Sequence, residues 1–392
     1  MRKGLALLTV AYTFSQFFRS FLAVLSEPLA RDLGAAPQDL STASGLWFLA
    51  FAAMQIPVGA ALDRIGPRRT AAVLFGIGGA GGSALFAMAT TPAHVSTAML
   101  LLGIGCSPVL MASYYIFARS YPPAMFATLG AVVLGLGSLG NLLGAAPLAQ
   151  MAEAIGWRAS LWSIAGASAL IAVGLWWLVT DPPAPEGDRR GSFLDLLRIR
   201  ALWPVIPLML VSYAPAAALR GLWIGPYLAD VHGADAAAIG NAAMVMGIAM
   251  IVGTFAYGPL DRLLGTRKWV ALAGNAAGAA ACLALWAMPG AGWALAVGLF
   301  AAVGVFGGAY PLLIAHGRSF APPHLAGRAV TLMNLFGIAT VGLFQLVSGP
   351  LQAKAAAGAV TPAGAYAPIF LALGLLLAAA CLVYAFSEDR LD

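Results

Sequence analysis

Two arginines, Arg19 and Arg220, stand well inside long apolar runs, where a fixed charge is hardest to accommodate. At the centre of a bilayer span such a charge costs at least about 2.5 kcal/mol, so it normally faces a bundle interior and marks a solute or ion path. A guanidinium placed there can hold a carboxylate or phosphate through two parallel hydrogen bonds. The bland alternative is that each arginine snorkels, or ties to backbone carbonyls near an interface. Tyr12 and Gln16 share the helical face of Arg19, and Tyr213 and Tyr227 stand seven residues to either side of Arg220. Tyr114, Tyr115, Trp223 and Tyr310 add rings that could stack on a flat solute, or simply fill a core. Sulfur offers a competing chemistry. Met246 and Met250 lie four apart on one helical face, and thioethers select Cu(I), although such pairs are usually packing. His94, His232, His316 and His324 fall in loops or at helix ends, so no histidine pair joins them.

A second set of residues could latch helices together. The stretch PVGAALDRIGPRRT (57–70) closes one apolar run and opens the next, gathering Gly59, Asp63, Arg64, Arg68 and Arg69 into one tight turn. The same object returns as YGPLDRLLGTRKW (257–269), with Gly258, Asp261, Arg262, Arg267 and Lys268 in matching places. The two aspartates are 198 residues apart in a chain of 392. ARSYPPAMFATLG and GRSFAPPHLAGRA form a second repeated pair, their arginines Arg119 and Arg318 being 199 apart. Asp63 and Asp261 can meet Arg119 and Arg318, or a neighbouring helix N-terminus. Gly59 and Gly258 would allow close helix approach, as would the small pair Gly140 and Gly144. The plainer reading is that these charges only set topology.

The elements that carry these residues are helices of membrane length. Charged residues make up 9% of the chain and the hydrophobic set 61%, against roughly 25% and 45–50% in soluble domains. A water-soluble globule is excluded. About 20 apolar residues span a bilayer, and such runs fall at roughly 5–29, 41–62, 70–90, 95–117, 125–151 and 160–180. A second set falls at roughly 201–228, 236–260, 269–288, 291–315, 327–350 and 365–386. The expectation is an all-α membrane protein of twelve spans: a first half 1–180, a polar, proline-rich linker 181–200, and a second half 201–392. The charged start MRKGLALL continues as an apolar run without a small-residue cleavage site, so it reads as a retained first span.

Orientation follows from the basic residues. With the N-terminus inside, 16 of the 21 Lys and Arg fall on the cytoplasmic side, Arg189 and Arg190 of the linker among them. Arg31, Arg158 and Lys354 fall outside, so both termini should be cytoplasmic. The net charge of +6 is dispersed between apolar runs rather than gathered on a face, so no nucleic-acid partner is expected. Cys106, Cys282 and Cys381 lie in apolar runs, with neither disulfide-framework nor zinc spacing.

The charged turns resemble the loop 2–3 signature of the major facilitator superfamily and its repeat between spans 8 and 9. The likeness extends to the twelve spans, the central linker and Gly156-Trp157-Arg158 after span 5. Pro67 departs from the usual small or polar residue. The resemblance implies two six-helix halves rocking around a substrate site near the bilayer midplane, spans 1 and 7 lining the cavity, and the charged turns latching the cytoplasmic face shut. It also implies that an arginine from each half resembles the anion clamp of organic-anion members. CcoA-type copper importers of this superfamily are similar in size and use paired methionines at the Met246–Met250 spacing. Riboflavin transporters from the same neighbourhood suit the aromatic and hydrogen-bonding stripe better.

No Ser/His/Asp set, HExxH or P-loop pattern is present, so neither an enzyme nor a resident cofactor is expected. A channel or a membrane receptor is a further reading, but duplicated latches favour alternating closure. None of the 15 acidic residues lies mid-span; Glu27 and Asp230, at the outer ends of spans 1 and 7, are the candidates for coupling. The expectation is a monomeric transporter of the cytoplasmic membrane that imports a small organic solute, riboflavin-like or anionic, with Cu(I) import as the alternative.

Overall fold

The computed structural model describes residues 2–182, 193–322 and 325–391; Arg189, Arg190 and His324 lie outside them. By its internal contacts the chain forms two compact units, Met1–Gly187 with Ala234–Asn241, and Asp188–Gly233 with Ala242–Asp392.

The first unit contains α1 (Arg2–Phe17), α2 (Phe21–Val24), α3 (Ser26–Leu33), α4 (Pro37–Ala53), α5 (Gln55–Arg64) and α6 (Pro67–Leu74). A π-helical segment, Phe75–Gly81, follows, then α7 (Gly82–Ala87), α8 (Pro92–Ser120), α9 (Pro123–Leu143), α10 (Ala146–Ile155) and α11 (Trp157–Leu178). Its core joins Leu8, Ala11 and Tyr12 of α1 to Val58, Phe75, Val109, Ile116 and Leu175. In the second unit lie α12 (Phe193–Leu197), α13 (Val205–Val211), α14 (Ala214–Ala218), a π-helical turn Leu219–Trp223 and α15 (Ile224–His232). After them come α16 (Ala236–Leu264), α17 (Lys268–Ala287), α18 (Trp293–Gly307), α19 (Tyr310–Ser319), α20 (Ala326–Ala356) and α21 (Ala367–Tyr384). The first residues of α16 group with the first unit. Among the described residues there are no β-strands.

Several span breaks coincide with prolines, although Pro108, Pro259 and Pro350 lie inside unbroken helices. A helical proline removes one N–H and its ring crowds the carbonyl four residues earlier. Pro28, Pro57, Pro147, Pro215 and Pro311 sit four residues beyond Val24, Ala53, Leu143, Val211 and Gly307, the last residues of α2, α4, α9, α13 and α18. Pro226 likewise lies four beyond Leu222, inside the π-helical turn.

Among the described residues ten helices are long and apolar enough to cross a membrane, or eleven when the pair Val132–Leu143 and Ala146–Ile155, bent by 41°, counts as one span. The expected count was twelve. The difference lies at residues 5–29, where α1 has 16 residues and the chain is interrupted twice before α3 ends. One break is the Pro28 effect at Leu25. The other surrounds Arg19, whose amide bonds the Gln16 carbonyl three residues back at 3.2 Å while Ser20 bonds Phe17 at 3.0 Å.

Duplication is visible in the backbone. α3 ends in Gly34 at φ 63° and α15 in Gly233 at φ 64°. Both are left-handed helix ends, where glycine has no Cβ to clash. Gly140 and Gly144 lie against α1, facing Thr13 and Phe17, and there a side chain would collide with backbone.

Candidate functional site

In the first unit, the break in α1 presents a buried polar group. The Gln16 amide donates to the Tyr12 hydroxyl at 3.0 Å. Arg19 is 7% exposed, and its guanidinium lies 4.8 Å from the Phe51 ring centroid and 5.3 Å from that of Trp47. Rings at this distance stabilise a cation through their quadrupoles but supply no hydrogen-bond acceptor in the plane of the fork. Arg19 Nε, Gln16 Oε1 and Trp47 Nε1 are buried with no hydrogen-bond partner among the described residues. A buried donor or acceptor left this way costs about 1–3 kcal/mol, which a complementary ligand group would recover. Trp47 and Phe51 escaped the sequence reading because an aromatic in an apolar helix looks like core. Tyr114 shares the core cluster of Tyr12 and packs against Gly130. Tyr115 packs against the same cluster, and its ring also lies 4.2 Å from the Arg119 guanidinium of the charged corner.

In the second unit, Arg220 is 1% exposed in the π-helical turn. A π-turn breaks the i→i+4 ladder and tends to mark functional positions. The Gln345 amide of α20 donates to the Ala218 carbonyl at 3.3 Å, and the Ser348 hydroxyl accepts from Trp223 Nε1 at 3.0 Å. Both arginines therefore sit where their helix is interrupted. Tyr213 and Tyr310 pack ring to ring at 4.9 Å, and the Tyr310 hydroxyl donates to Asn334 at 3.5 Å. Asn334, Gln345 and Ser348 were missed; polar residues within an otherwise apolar run were the signal. Tyr227 does not join this group. Its hydroxyl donates to the Pro289 carbonyl at 2.8 Å and its ring packs edge-on against Phe300, Tyr366 and Phe370, leaving nothing for a ligand.

The methionine pair is a helix contact. Met246 is fully buried, and a Cβ at Gly304 of α18 would touch the Met246 carbonyl and side chain and the Met250 amide. Among the described residues no group of three His, Cys, Asp or Glu could hold a metal ion.

The charged turns are knit within each unit. Asp63 faces Arg119 of α8 at 3.6 Å. Asp181, just after α11, accepts from the Arg68 amide at 2.8 Å and lies 3.6 Å from the Arg68 Nε, so it caps the N-terminus of α6. In the second turn Asp261 pairs at 2.9 Å with Arg267, six residues on and just before α17, so of the two expected partners it is the neighbouring helix N-terminus that lies beside it. Asp389, just after α21, accepts from the Arg267 amide at 3.1 Å, the Lys268 amide at 2.9 Å and the Thr266 hydroxyl. The Arg390 guanidinium lies 4.7 Å from the Phe320 ring centroid. Arg64, Arg69 and Arg262 lie in these turns, and Arg318 lies in the last turn of α19. The two glycines are not close contacts within their units. A Cβ at Gly59 would meet only Met111 Cε at 3.7 Å, and one at Gly258 nothing within 4 Å. Gly258 has a local reason instead: it precedes Pro259 inside α16, where a Cβ would crowd the proline ring.

At the opposite ends, Asp32 accepts from Trp157 Nε1 at 2.8 Å and Arg31 Nε at 3.0 Å, with Arg158 at 3.6 Å. The Trp157 donor and then the Arg31 donor hold its carboxyl below the usual range. Asp230, 198 residues on, accepts from the Tyr366 hydroxyl. Glu27 makes an exposed pair with Arg31 at 3.6 Å.

Interrupted spans, a buried arginine at one interruption in each unit and a duplicated charged turn describe a membrane transporter. The family model of the Major Facilitator Superfamily matches residues 8–343, and the chain belongs to that family. Among solved structures, a bacterial homologue of the human lysosomal transporter Spinster, inward-facing and occupied, is 16% identical with a TM-score of 0.74. The match covers 98% of this chain and 96% of that one. A D-xylose–proton symporter is also 16% identical, with a TM-score of 0.77 and 98% of both chains covered. At that identity the likeness is one of fold. No curated protein matches the sequence. The protein is thus a multi-pass membrane transporter of the major facilitator type.

Proposed function

We propose that this transporter imports a small organic solute, anionic or riboflavin-like, across the cytoplasmic membrane by alternating access, as a monomer with both termini cytoplasmic. The observation that carries the reading is Arg19: a buried cation on two aromatic faces, at a helix break, with a hydrogen-bond donor still unused. A carboxylate, phosphate or carbonyl edge answers that donor and Trp47 Nε1, while Gln16 Oε1 accepts a donor from the solute. Tyr12 and Tyr114 complete the first set; Arg220, Tyr213 and Tyr310 form the second. Tyr115 and Tyr227 are left out of it. The charged turns serve as the latch, Asp63–Arg119 in one unit and Asp261–Arg267 in the other. Cu(I) import is the weaker reading: Met246 is buried where Gly304 packs closely on its backbone, and only the Met246–Met250 spacing favours it.

A thermal-shift screen of the purified protein against riboflavin, flavin nucleotides, organic phosphates, carboxylates and Cu(I) tests the substrate class. A ligand at 100 times its Kd stabilises by about 2.7 kcal/mol. Stabilisation by a flavin or an anion, lost in Arg19→Gln and in Arg220→Gln, is expected. Stabilisation untouched by both variants, or by Cu(I) alone and lost in Met246→Leu, overturns the assignment. For the latch, Asp63→Asn should slow uptake into proteoliposomes with affinity unchanged; normal uptake removes it.

A further inference from the structure

Where the fifth span bends, an apolar crevice of about 190 Å³ opens between α1, the α9–α10 break and α11. Thr13, Leu143, Pro147, Leu148 and Met151 are among the residues that line it, the others being apolar. Its one polar side chain is already satisfied, the Thr13 hydroxyl donating to the Thr9 carbonyl at 3.1 Å. A water needs two to four polar partners, and an apolar cavity of about 150 Å³ stays dry and takes up hydrocarbon such as benzene. Neither water nor a polar solute suits this lining.

The crevice is continuous with an exposed apolar row on a helix of membrane-spanning character. Val132, Leu136, Leu139 and Leu143 recur at helical spacing on α9 and are 50%, 49%, 48% and 48% exposed. That row is one apolar face of a spanning helix, and Leu143 belongs both to it and to the crevice wall. Pro147 produces the opening, since it ends α9 at Leu143 and swings α10 away by 41°. Left empty, the lining would lose dispersion contacts on one side.

We propose that the crevice is an acyl-chain site, occupied by one fatty-acid tail of a bilayer phospholipid that enters along the Val132–Leu143 face. The tail fills the wedge beneath Pro147 and props the bend of the fifth span. The headgroup is not recognised, so selectivity is for chain rather than for charge.

The test is native mass spectrometry of the detergent-purified protein with added palmitoyl-oleoyl phosphatidylethanolamine, then with the phosphatidylglycerol of the same chains. One phospholipid retained per chain, with either headgroup, is expected. Met151→Trp fills the wedge; excluding two methylenes at about 0.8 kcal/mol each weakens retention about tenfold. Leu148→Phe is a milder filling variant should the first fail to fold. Independently, p-benzoylphenylalanine at position 151 in vesicles should give a single phospholipid adduct that survives detergent washing. Retention equal in wild type and in a folded filling variant, a dependence on headgroup, or no adduct at position 151 overturns the site.

Discussion

The two units carry the same corner and tie it differently. In the first, Asp63 reaches across to Arg119 of α8, with side chains 29% and 16% exposed. In the second, Asp261 and Arg267 close on each other inside one turn, at 8% and 11%. Each turn is then capped by an aspartate following the last helix of its unit, Asp181 or Asp389, 208 residues apart. Duplication has kept the acid, the glycine turn and the cap, and let the partner change. The first corner joins two helices, so its pair reports on their separation. The second is self-contained and braced by the chain end, so its pair reports on local folding.

The largest separation between the corners should come from removing each acid. Asp261→Ala leaves Arg267 nearly buried and unpaired, which costs about 3–5 kcal/mol. Asp63→Ala loosens a longer, more exposed pair worth about 1 kcal/mol or less. Melting temperatures in detergent should order as wild type, Asp63→Ala, Asp261→Ala, with uptake lost in both. Equal losses of stability would mean that the corners are energetically alike.

The caps come next. Asp389 satisfies two backbone amides and a hydroxyl where Asp181 satisfies one amide, and losing a cap costs about 0.5–2 kcal/mol. Asp389→Ala should therefore destabilise more than Asp181→Ala. Burial pushes the Asp389 carboxyl up, but the Thr266 hydroxyl and the Lys268 and Arg267 amides together outweigh it and hold it below its usual range. Its contribution is present above the unfolded value of about 3.9 and fades as pH falls through the depressed one.

What the sequence disclosed, and what it withheld, follows from the range of each interaction. The paired turns and the two intramembrane arginines are local patterns in one dimension and stand out against apolar sequence. The span breaks were less legible: Pro28 and Pro147 precede breaks while Pro108, Pro259 and Pro350 do not, and a composition window over 5–29 averages over Pro28. The caps were opaque: Asp181 opens a polar linker and Asp389 sits in a polar tail, so nothing in their neighbourhood marks them. The partner of Asp261 stayed open for the same reason: sequence offered Arg318 or a neighbouring helix N-terminus, and only three dimensions bring in Arg267, which stands just before α17. Trp47 and Phe51 became part of the site only when the guanidinium was seen lying on them.

The glycines of the two corners should separate in sign. Gly59 sits mid-helix with only Met111 Cε nearby, so Gly59→Ala should stabilise by about 0.5–1 kcal/mol through helix propensity. Gly258→Ala should not, because its Cβ meets the Pro259 ring. Stabilisation by both would mean that the proline does not constrain its predecessor; destabilisation by both would restore close helix approach as the reason for the pair.

The smallest effect belongs to the far ends, where Asp32 and Asp230 are matched by position and differ in partner. Asp32 is exposed enough to be screened, so its ion pairs are worth about 0.2–1 kcal/mol in total. Because its carboxyl is held below the usual range, that stability exists above the unfolded value near 3.9 and disappears as pH falls through the lowered one. Asp32→Asn should thus reduce the melting temperature at pH 7 by a degree or so, about 2–4 °C per kcal/mol at most for a chain of this size. Its effect should shrink as pH falls below the unfolded value, and the pH 7 value should become less sensitive to salt. Asp230→Asn keeps an acceptor for the Tyr366 hydroxyl and should show no salt dependence at all. A salt-sensitive Asp230→Asn would mean that the second unit holds its outer end by charge, as the first does, and that the two units are closer copies there than their hydrogen bonds suggest.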